Sequence, residues 1–126
     1  MIIVDTDVLI EILDRGSKRG EEALEKILAT QEPICITAIN LHEILYGLYK
    51  FAKPIDEILK IPVLSYTGKD AQLAARIELE MEKRGKAIRR TDAMIAAIAI
   101  NNGAKLYTFN LKHFKPIEAL GLKILS

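Results

Sequence analysis

The sequence predicts an α/β fold in which a parallel sheet is covered by helices on both faces. Short apolar runs such as Ile2–Val4, each ended by a polar residue, are typical of strands that are buried on both faces. Apolar residues with helical spacing fill the stretches between these runs, and such alternation indicates right-handed crossovers between parallel strands. The chain has 126 residues, of which 50% are hydrophobic and 28% charged. This length and composition fit one globular domain, so we expect residues 1–126 to fold as a single unit.

Elements in the first half of the chain are predicted from apolar spacing and from residues that break or cap helices. Pro33 marks a break before a strand, Thr37 is a suitable N-cap, and Pro54 suits the first position of a helix. In order, the predicted elements are a strand at 2–4, a helix with apolar positions at 8–13, a loop marked by Gly16 and Gly20, a helix with apolar positions at 23–28, a strand at 33–36, a helix with apolar positions at 41–48 and a short helix at 54–59.

Elements in the second half include two long helices. Thr67 and Asp70 have the spacing of a capping box, and the helix that they begin is expected to end near Lys83. The next helix begins near Thr91 and is apolar on all sides, so we expect it to be buried. The predicted elements of this half are a strand at 63–65, a helix at 67–83, a helix from 91 to about 102, a strand at 106–109 and a strand at 122–125.

Charge and cysteine content exclude several classes of protein. Eighteen Lys and Arg residues against 17 Asp and Glu residues give a net charge of +1, so any attraction to nucleic acid must be local. The single cysteine, Cys35, cannot form an internal disulfide or a cysteine-cluster metal site. The longest apolar run, at 93–100, is too short to span a bilayer, and no secretion signal precedes Asp5. We therefore expect a cytoplasmic protein that is not associated with a membrane.

Four polar side chains are expected to meet at one edge of the sheet. Asp5 follows the first strand and Glu43 lies about two turns into the helix after the second strand. Asp92 begins the helix that leads to the fourth strand, and Asn110 follows that strand. Ligands in open α/β sheets bind beyond the carboxyl ends of the strands, where these residues lie.

Three acids in one pocket require a counter-charge. Two carboxylates about 4 Å apart repel by roughly 4 kcal/mol at an effective dielectric constant near 20. Oxygen ligands without His or Cys favour Mg²⁺ or Mn²⁺, which activate water for phosphodiester hydrolysis. Each residue taken alone also has a simpler interpretation: Asp5 and Asn110 as turn residues, Asp92 as a helix cap and Glu43 as a solvated surface acid.

Four motifs occur in one order along nearly the whole chain. They are Asp-Thr-Asp-Val-Leu-Ile at 5–10, the stretch from Thr37 through Glu43 to Gly47, Thr-Asp-Ala-Met-Ile-Ala at 91–96 and Leu-Tyr-Thr-Phe-Asn at 106–110. In this order they resemble the PIN domain. The single-domain layout is most similar to the VapC branch, the toxins of type II toxin-antitoxin pairs, which are metal-dependent ribonucleases. The resemblance implies a PIN-like nuclease domain with the strand order 3-2-1-4-5.

The resemblance also implies roles for individual residues. Mg²⁺ or Mn²⁺ would be held by Asp5, Glu43 and Asp92, and Asn110 stands where the family often has a fourth acid. Thr6, Asp7 and Thr108 would orient ligands or water, and the implied partners are an RNA substrate, a second copy in a homodimer and an antitoxin whose C-terminal segment blocks the acid pocket. Five positive charges lie within 83–90, and from this run we expect Lys86, Arg89 and Arg90 to contact the RNA backbone.

Two other functions fit parts of the sequence. The stretch 2–8 resembles the first motif of haloacid-dehalogenase-type phosphatases, with Asp5 as nucleophile and Asp7 as its acid-base partner. The later part of the chain lacks the paired acids that those enzymes use for Mg²⁺. A catalytically inactive binding module with a PIN-like fold is the other alternative, with Asn110 as the sign of lost activity.

Overall fold

Five short parallel strands form the centre of the molecule. The structure is a computed structural model that describes residues 1–126. The strands are β1 (Ile2–Val4), β2 (Ile34–Thr37), β3 (Val63–Leu64), β4 (Lys105–Tyr107) and β5 (Lys123–Ile124). They are arranged in the order β3-β2-β1-β4-β5, and every neighbouring pair is parallel. The expected α/β class and strand order are confirmed, and β1 is the central strand.

Six α-helices connect and cover the strands. They are α1 (Thr6–Leu9), α2 (Lys18–Ala29), α3 (Ala38–Lys50), α4 (Gly68–Lys83), α5 (Arg90–Asn101) and α6 (Leu111–Phe114), with a π-helical segment at Ile10–Arg15 and 3₁₀ turns at Ile58–Lys60 and Lys115–Leu120. None of these helices is both long and apolar enough to cross a membrane.

Two of the sequence-based element boundaries are wrong. The short helix expected at 54–59 is only the three-residue turn Ile58–Lys60, because Ile58 is the one residue of that stretch buried in the core. The loop expected to reach Gly20 ends earlier, since the Ser17 side chain accepts a hydrogen bond from the Gly20 backbone N–H and caps α2. The first strand has the predicted bounds, and the other four strands are shifted or shortened by one or two residues, as is common for element ends.

The core is divided by the sheet into two layers, because successive residues of a strand face opposite sides. Ile2 and Val4 of β1 pack in the layer formed with α1, α2 and α3, whereas Ile3 packs in the layer formed with α4, α5 and α6. All three residues are buried. Helix α5 contributes seven buried residues, which confirms the expectation that this apolar helix lies inside the molecule.

The capping box expected at Thr67 is present, and the expected N-cap Thr37 also forms one, with Asn40. The Thr37 hydroxyl accepts a hydrogen bond from the Asn40 backbone N–H, and the Thr67 hydroxyl accepts one from the Asp70 backbone N–H. Asp70 also accepts a 2.8 Å hydrogen bond from Asn101 Nδ2, which ties the start of α4 to the end of α5. Asp92 lies in the first turn of α5, so this contact helps to hold the helix that positions Asp92.

Gly20 allows α2 to approach the π-helical segment closely. A Cβ atom at this position would overlap the carbonyl group of Glu11 and the backbone nitrogen of Ile12, neither of which can move independently of the backbone. We expect Gly20→Ala to lower the free energy of unfolding by about 1–3 kcal/mol, measured by urea denaturation. The matched control is Gly47→Ala within α3, where nothing lies within 4 Å of the added Cβ and a gain of about 0.5–1 kcal/mol is expected. Equal effects of the two substitutions would contradict this account.

Candidate active site

The carboxyl ends of β1 and β4 face a small cleft between α1, α3 and α5. The cleft has a volume of about 190 Å³. Its lining residues are Asp5, Thr6, Asp7, Ile10, Glu43, Arg89 and Asn110. This is the edge at which the sequence analysis placed the acids, and three of the lining side chains are carboxylates.

Asp5 is buried at the exit of β1, with both carboxylate oxygens held by hydrogen bonds. Its Oδ1 accepts from the Thr6 backbone N–H at 2.9 Å and from Asn40 Nδ2 at 3.0 Å. Its Oδ2 accepts from the Thr108 hydroxyl at 2.7 Å. These three donors come from α1, α3 and the segment after β4, so the carboxylate is fixed from three sides of the cleft.

Burial raises the pKa of Asp5 from its ordinary value of 3.8 to about 6. The neighbouring charge of Asp7 raises the pKa further, while the hydrogen bonds from Thr108 and Thr6 lower it in part. The pKa of Asp7 is also raised, chiefly by burial. The surroundings of Asp5 and Asp7 therefore stabilise the charged forms of these two carboxylates less well than water does.

Glu43 projects from α3 into the same cleft and is linked to Asp5 through Thr6. The Thr6 hydroxyl donates to Glu43 Oε1 at 3.0 Å and accepts from Asn40 Nδ2 at 3.1 Å. Asp7 is connected to the segment after β4, because its Oδ1 accepts a long 3.5 Å hydrogen bond from the Phe109 backbone N–H. Thr6, Asp7 and Thr108 thus contact the acids or the backbone beside them, in the places where orienting residues were expected.

Asp92 lies in the first turn of α5 and is 2% exposed. Its two oxygens accept hydrogen bonds of 3.1 Å from Arg89 Nε and Nη2. His113 Nδ1 lies 3.5 Å from Asp92 Oδ2 and 2.8 Å from Asn110 Nδ2. Asp92 is therefore connected to the cleft through Arg89 on one side and through His113 and Asn110 on the other.

The predicted ligand residues are neighbours, but they are not arranged around a single point. No group of three or more His, Cys, Asp or Glu side chains is placed so that it could hold a metal ion. The guanidinium group of Arg89 takes part in the cleft, and Asp5, Glu43 and Asp92 all contribute to raising the pKa of Arg89. A positive charge is thus already present where the acids converge.

The three basic residues predicted for RNA contact are in different environments. Arg89 lines the cleft. Arg90 points away and forms two hydrogen bonds with Glu78, at 3.0 and 3.1 Å. Lys86 is exposed and is not among the residues that line the cleft.

Two residues of the site were not identified from the sequence. Asn40 is fully buried and orients Asp5 and Thr6, while its Oδ1 accepts from Thr37. Its position three residues after Thr37 is a signal for a cap, but not for a contact with β1. His113 is a lone histidine without ligand spacing in the sequence; it is partly exposed, yet it contacts Asn110 and lies near Asp92.

The donor types fit a hard divalent cation. Carboxylate oxygens and the amide oxygen of Asn110 are the ligands that Mg²⁺ and Mn²⁺ favour, and Cys35 is buried elsewhere. The raised pKa values of Asp5 and Asp7 indicate negative charge that a bound cation would stabilise. Residues and charge at the cleft are therefore suited to such an ion, provided that the carboxylates come closer together when it binds.

Comparison with known proteins identifies the family. The PIN domain family matches residues 2–119. Ribonuclease VapC2 from Haemophilus influenzae is 30% identical over 125 residues, covering 94% of this chain and 92% of its own length. Ribonuclease VapC1 from Methanocaldococcus jannaschii is 33% identical over 135 residues, covering 98% and 85% respectively. The chain belongs to the PIN domain family.

A solved structure gives the same result for the fold. VapBC2 from Rickettsia felis, bound to a DNA fragment from its promoter, contains a chain that superposes with a TM-score of 0.80 and 28% sequence identity. The match covers 100% of both chains. The family resemblance drawn from the four motifs is therefore confirmed, and the cleft lies within the matched region.

The raised pKa of Asp5 implies that the stability of the metal-free protein depends on pH. The pKa of Asp5 is about 6 in the folded protein and 3.8 ordinarily, so the folded state binds more protons than the unfolded chain between these pH values. The contribution of Asp5 to the free energy of unfolding therefore declines as the pH rises from about 4 to about 6. We expect Asp5→Asn to raise the free energy of unfolding by about 1–3 kcal/mol at pH 7 in chelator, and the gain to vanish below about pH 4.

Urea denaturation at several pH values measures this difference. The control is Glu118→Gln, which removes an exposed carboxylate that makes no side-chain hydrogen bond or ion pair, and its stability profile should follow that of the unmodified protein. A metal-free Asp5→Asn protein that is less stable than the unmodified chain at pH 7 would disprove the destabilising role of this buried charge.

Proposed function

We propose that this chain is a divalent-metal-dependent endoribonuclease, the toxin of a type II toxin-antitoxin pair, and that Asp5, Glu43 and Asp92 bind the metal. The observation that carries the proposal is that Asp5 and Glu43 line one cleft at the carboxyl edge of a PIN fold, while Asp92 lies beside it and is joined to it through Arg89. The similarity to two ribonucleases of the VapC type over nearly their whole length supports the ribonuclease assignment.

The roles of the chain's own residues follow from their contacts. Asp5 is oriented at the cleft by hydrogen bonds from Thr6, Asn40 and Thr108, which suits a metal ligand. Glu43, on the other side of the cleft, is oriented by the Thr6 hydroxyl. When bound, a divalent ion lowers the pKa of its water for attack on phosphorus and stabilises the developing charge. No side-chain nucleophile is required.

Asn110 and Asp7 have supporting roles in this proposal. Asn110 offers a carbonyl oxygen where the family often has an acid, and it brings no charge. Asp7 is partly buried and is held by the backbone of Phe109, which suits a residue that orients a ligand or a water molecule. Mg²⁺ or Mn²⁺ is the ion that these donors favour.

RNA is the proposed substrate, and basic residues beside the cleft would contact its phosphates. Arg89 is the best placed of them because it lines the cleft. Lys86 and Arg90 flank it in sequence, and Arg90 would have to leave Glu78 in order to take part. Such contacts position a nucleic acid without reading its sequence.

The proposed partners are an antitoxin and a second copy of the chain. The related R. felis protein is a VapBC complex, which supports an antitoxin partner. We propose that the C-terminal segment of the antitoxin blocks the acid pocket, and that the complex acts in the cytoplasm. Tyr46 and Tyr49 are 64% and 63% exposed on α3 and could be covered by the antitoxin or in a homodimer.

Loss of any one proposed ligand should greatly reduce RNA cleavage. Residues that only orient metal ligands typically contribute 10–100-fold, so we expect Asp5→Asn, Glu43→Gln and Asp92→Asn each to lower cleavage by at least about 100-fold. The assay uses labelled RNA with purified, partner-free protein in Mn²⁺ or Mg²⁺, and in chelator. Glu118→Gln should retain full activity, since its side chain is exposed and remote from the cleft. Cleavage that persists in chelator and in all three variants would refute the proposal.

Asp7→Asn separates the nuclease from a phosphatase. In the proposed nuclease Asp7 only orients other groups, so we expect its loss to weaken RNA cleavage by roughly 10–100-fold and leave measurable activity. A haloacid-dehalogenase-type phosphatase would lose all activity on a phosphomonoester, because Asp7 would be its general acid-base. A protein that binds RNA but cleaves neither substrate, with or without these substitutions, would instead be an inactive binding module.

A further inference from the structure

Arg89 makes a bidentate ion pair with Asp92, the buried acid of α5. It is the N-cap residue of the helix, and its own side chain makes no capping hydrogen bond there. Instead, Nε and Nη2 donate separately to the two oxygens of Asp92, both at 3.1 Å. The side chain of Asp92 is 3% exposed and that of Arg89 is 62% exposed. The contact therefore joins a fixed, buried acceptor to a cation that remains largely in solvent.

The positive charge of Arg89 also acts on the other proposed ligands. Attraction to Asp92, Glu43 and Asp5 raises the pKa of Arg89 above its ordinary value, the hydrogen bond to Asp92 being the largest cause. A guanidinium group stays protonated at any pH at which a protein folds, so it cannot leave this position by losing a proton. Arg89 is thus a permanent positive charge facing three carboxylates.

A divalent ion and Arg89 cannot both use Asp92 in this way. Both carboxylate oxygens of Asp92 are directed at the guanidinium group, and two cations at one carboxylate repel each other. No trio of acidic or histidine side chains is arranged for a metal in the present conformation. In the arrangement with Arg89 on Asp92, the chain itself therefore supplies a counter-charge to this acid.

We propose that Arg89 is a displaceable internal counter-ion that competes with the divalent metal for Asp92. This inference rests on the proposed function, because it takes Asp92 as a metal ligand. In the metal-free protein Arg89 stabilises Asp92; when a metal binds, Arg89 releases the carboxylate and its guanidinium group is freed at the edge of the cleft. Since only the fraction of molecules with a free Asp92 is ready to bind, the pair lowers the apparent metal affinity.

Release also gives Arg89 a second acceptor. A guanidinium group presents donors in a fork that fits phosphate as well as carboxylate. Because the side chain is mostly exposed and lines the cleft, the freed group can contact an RNA phosphate there without a change in the backbone. Arg89 is then a positioning residue whose partner changes from Asp92 to the substrate when the metal arrives.

The test measures Mn²⁺ binding by isothermal titration calorimetry without RNA. Because the guanidinium group is largely exposed but makes two charged hydrogen bonds, we expect Arg89→Gln to lower the Kd for Mn²⁺ by about three- to tenfold. Arg89→Lys keeps the charge without the bidentate geometry, so its Kd for Mn²⁺ should lie between that of Arg89→Gln and that of the unmodified protein. When Asp92→Asn is already present, adding Arg89→Gln should no longer increase the affinity for Mn²⁺.

Arg90→Gln is the matched control for metal affinity. Arg90 is the adjacent residue and makes the same two-pronged contact, at 3.0 and 3.1 Å, but with Glu78 outside the cleft. Its removal should leave the Kd for Mn²⁺ unchanged. An equal increase in Mn²⁺ affinity in Arg89→Gln and Arg90→Gln would show only an effect of net charge. That result would refute competition between Arg89 and the metal.

The remaining outcomes distinguish this inference from the proposed function. If the unmodified protein binds Mn²⁺ and Arg89→Gln binds it equally or more weakly, Arg89 does not compete and only the inference fails. If neither protein binds Mn²⁺ and the metal raises the Tm of neither, the proposed metal site itself fails. Circular dichroism verifies that each variant is folded, and Arg89→Lys provides the same comparison should Arg89→Gln be unstable.

Discussion

The burial of negatively charged carboxylates at the cleft is the constraint that governs the surrounding structure. Asp5 is placed there by the exit of β1, and Asp92 is placed beside it by the start of α5. Burial disfavours the charged form of Asp5. The fold balances this cost in two ways. Hydrogen-bond donors from three elements surround Asp5, whereas Asp92 is paired with an arginine of its own helix end. A nearby positive charge stabilises such carboxylates, as Arg89 does for Asp92, and the PIN domain family to which the chain belongs includes relatives named as ribonucleases.

The fixed and the displaceable partners have different consequences for activity. Asn40 and Thr108 are buried neutral groups, so they orient Asp5 without competing with a cation for charge. Arg89 is exposed and charged, so it can be exchanged for another cation while the backbone stays in place. Orientation is thus provided by residues inside the fold, and charge balance by a residue at its surface. This division allows the acids to remain in position before a metal is present.

Much of the fold could be predicted, because it depends on local patterns. Ile2–Val4 and the apolar α5 are recognisable from hydrophobicity alone, and the order of the strands followed from the family resemblance. Asp5, Glu43 and Asn110 could be placed at one cleft because strand exits share an edge. The role of Asn40 could not be predicted, since its contact with Asp5 depends on how α3 packs against α1. Arg89 and Asp92 are three residues apart, a spacing that permits an ion pair on a helix, but the basic run around Arg89 equally suits RNA contact, so the pairing could not be inferred from the sequence.

The edges of the sheet limit how this protein can associate with others. The outermost strands, β3 and β5, have only two residues each, and β5 begins with a lysine. An incoming strand would find too few free backbone groups on either side to form a lasting ladder, and the lysine discourages such pairing further. Assembly by extension of the sheet, including runaway fibril formation, is therefore disfavoured. Any stable complex has to be built on helix surfaces and side-chain contacts, leaving the five-stranded core unchanged.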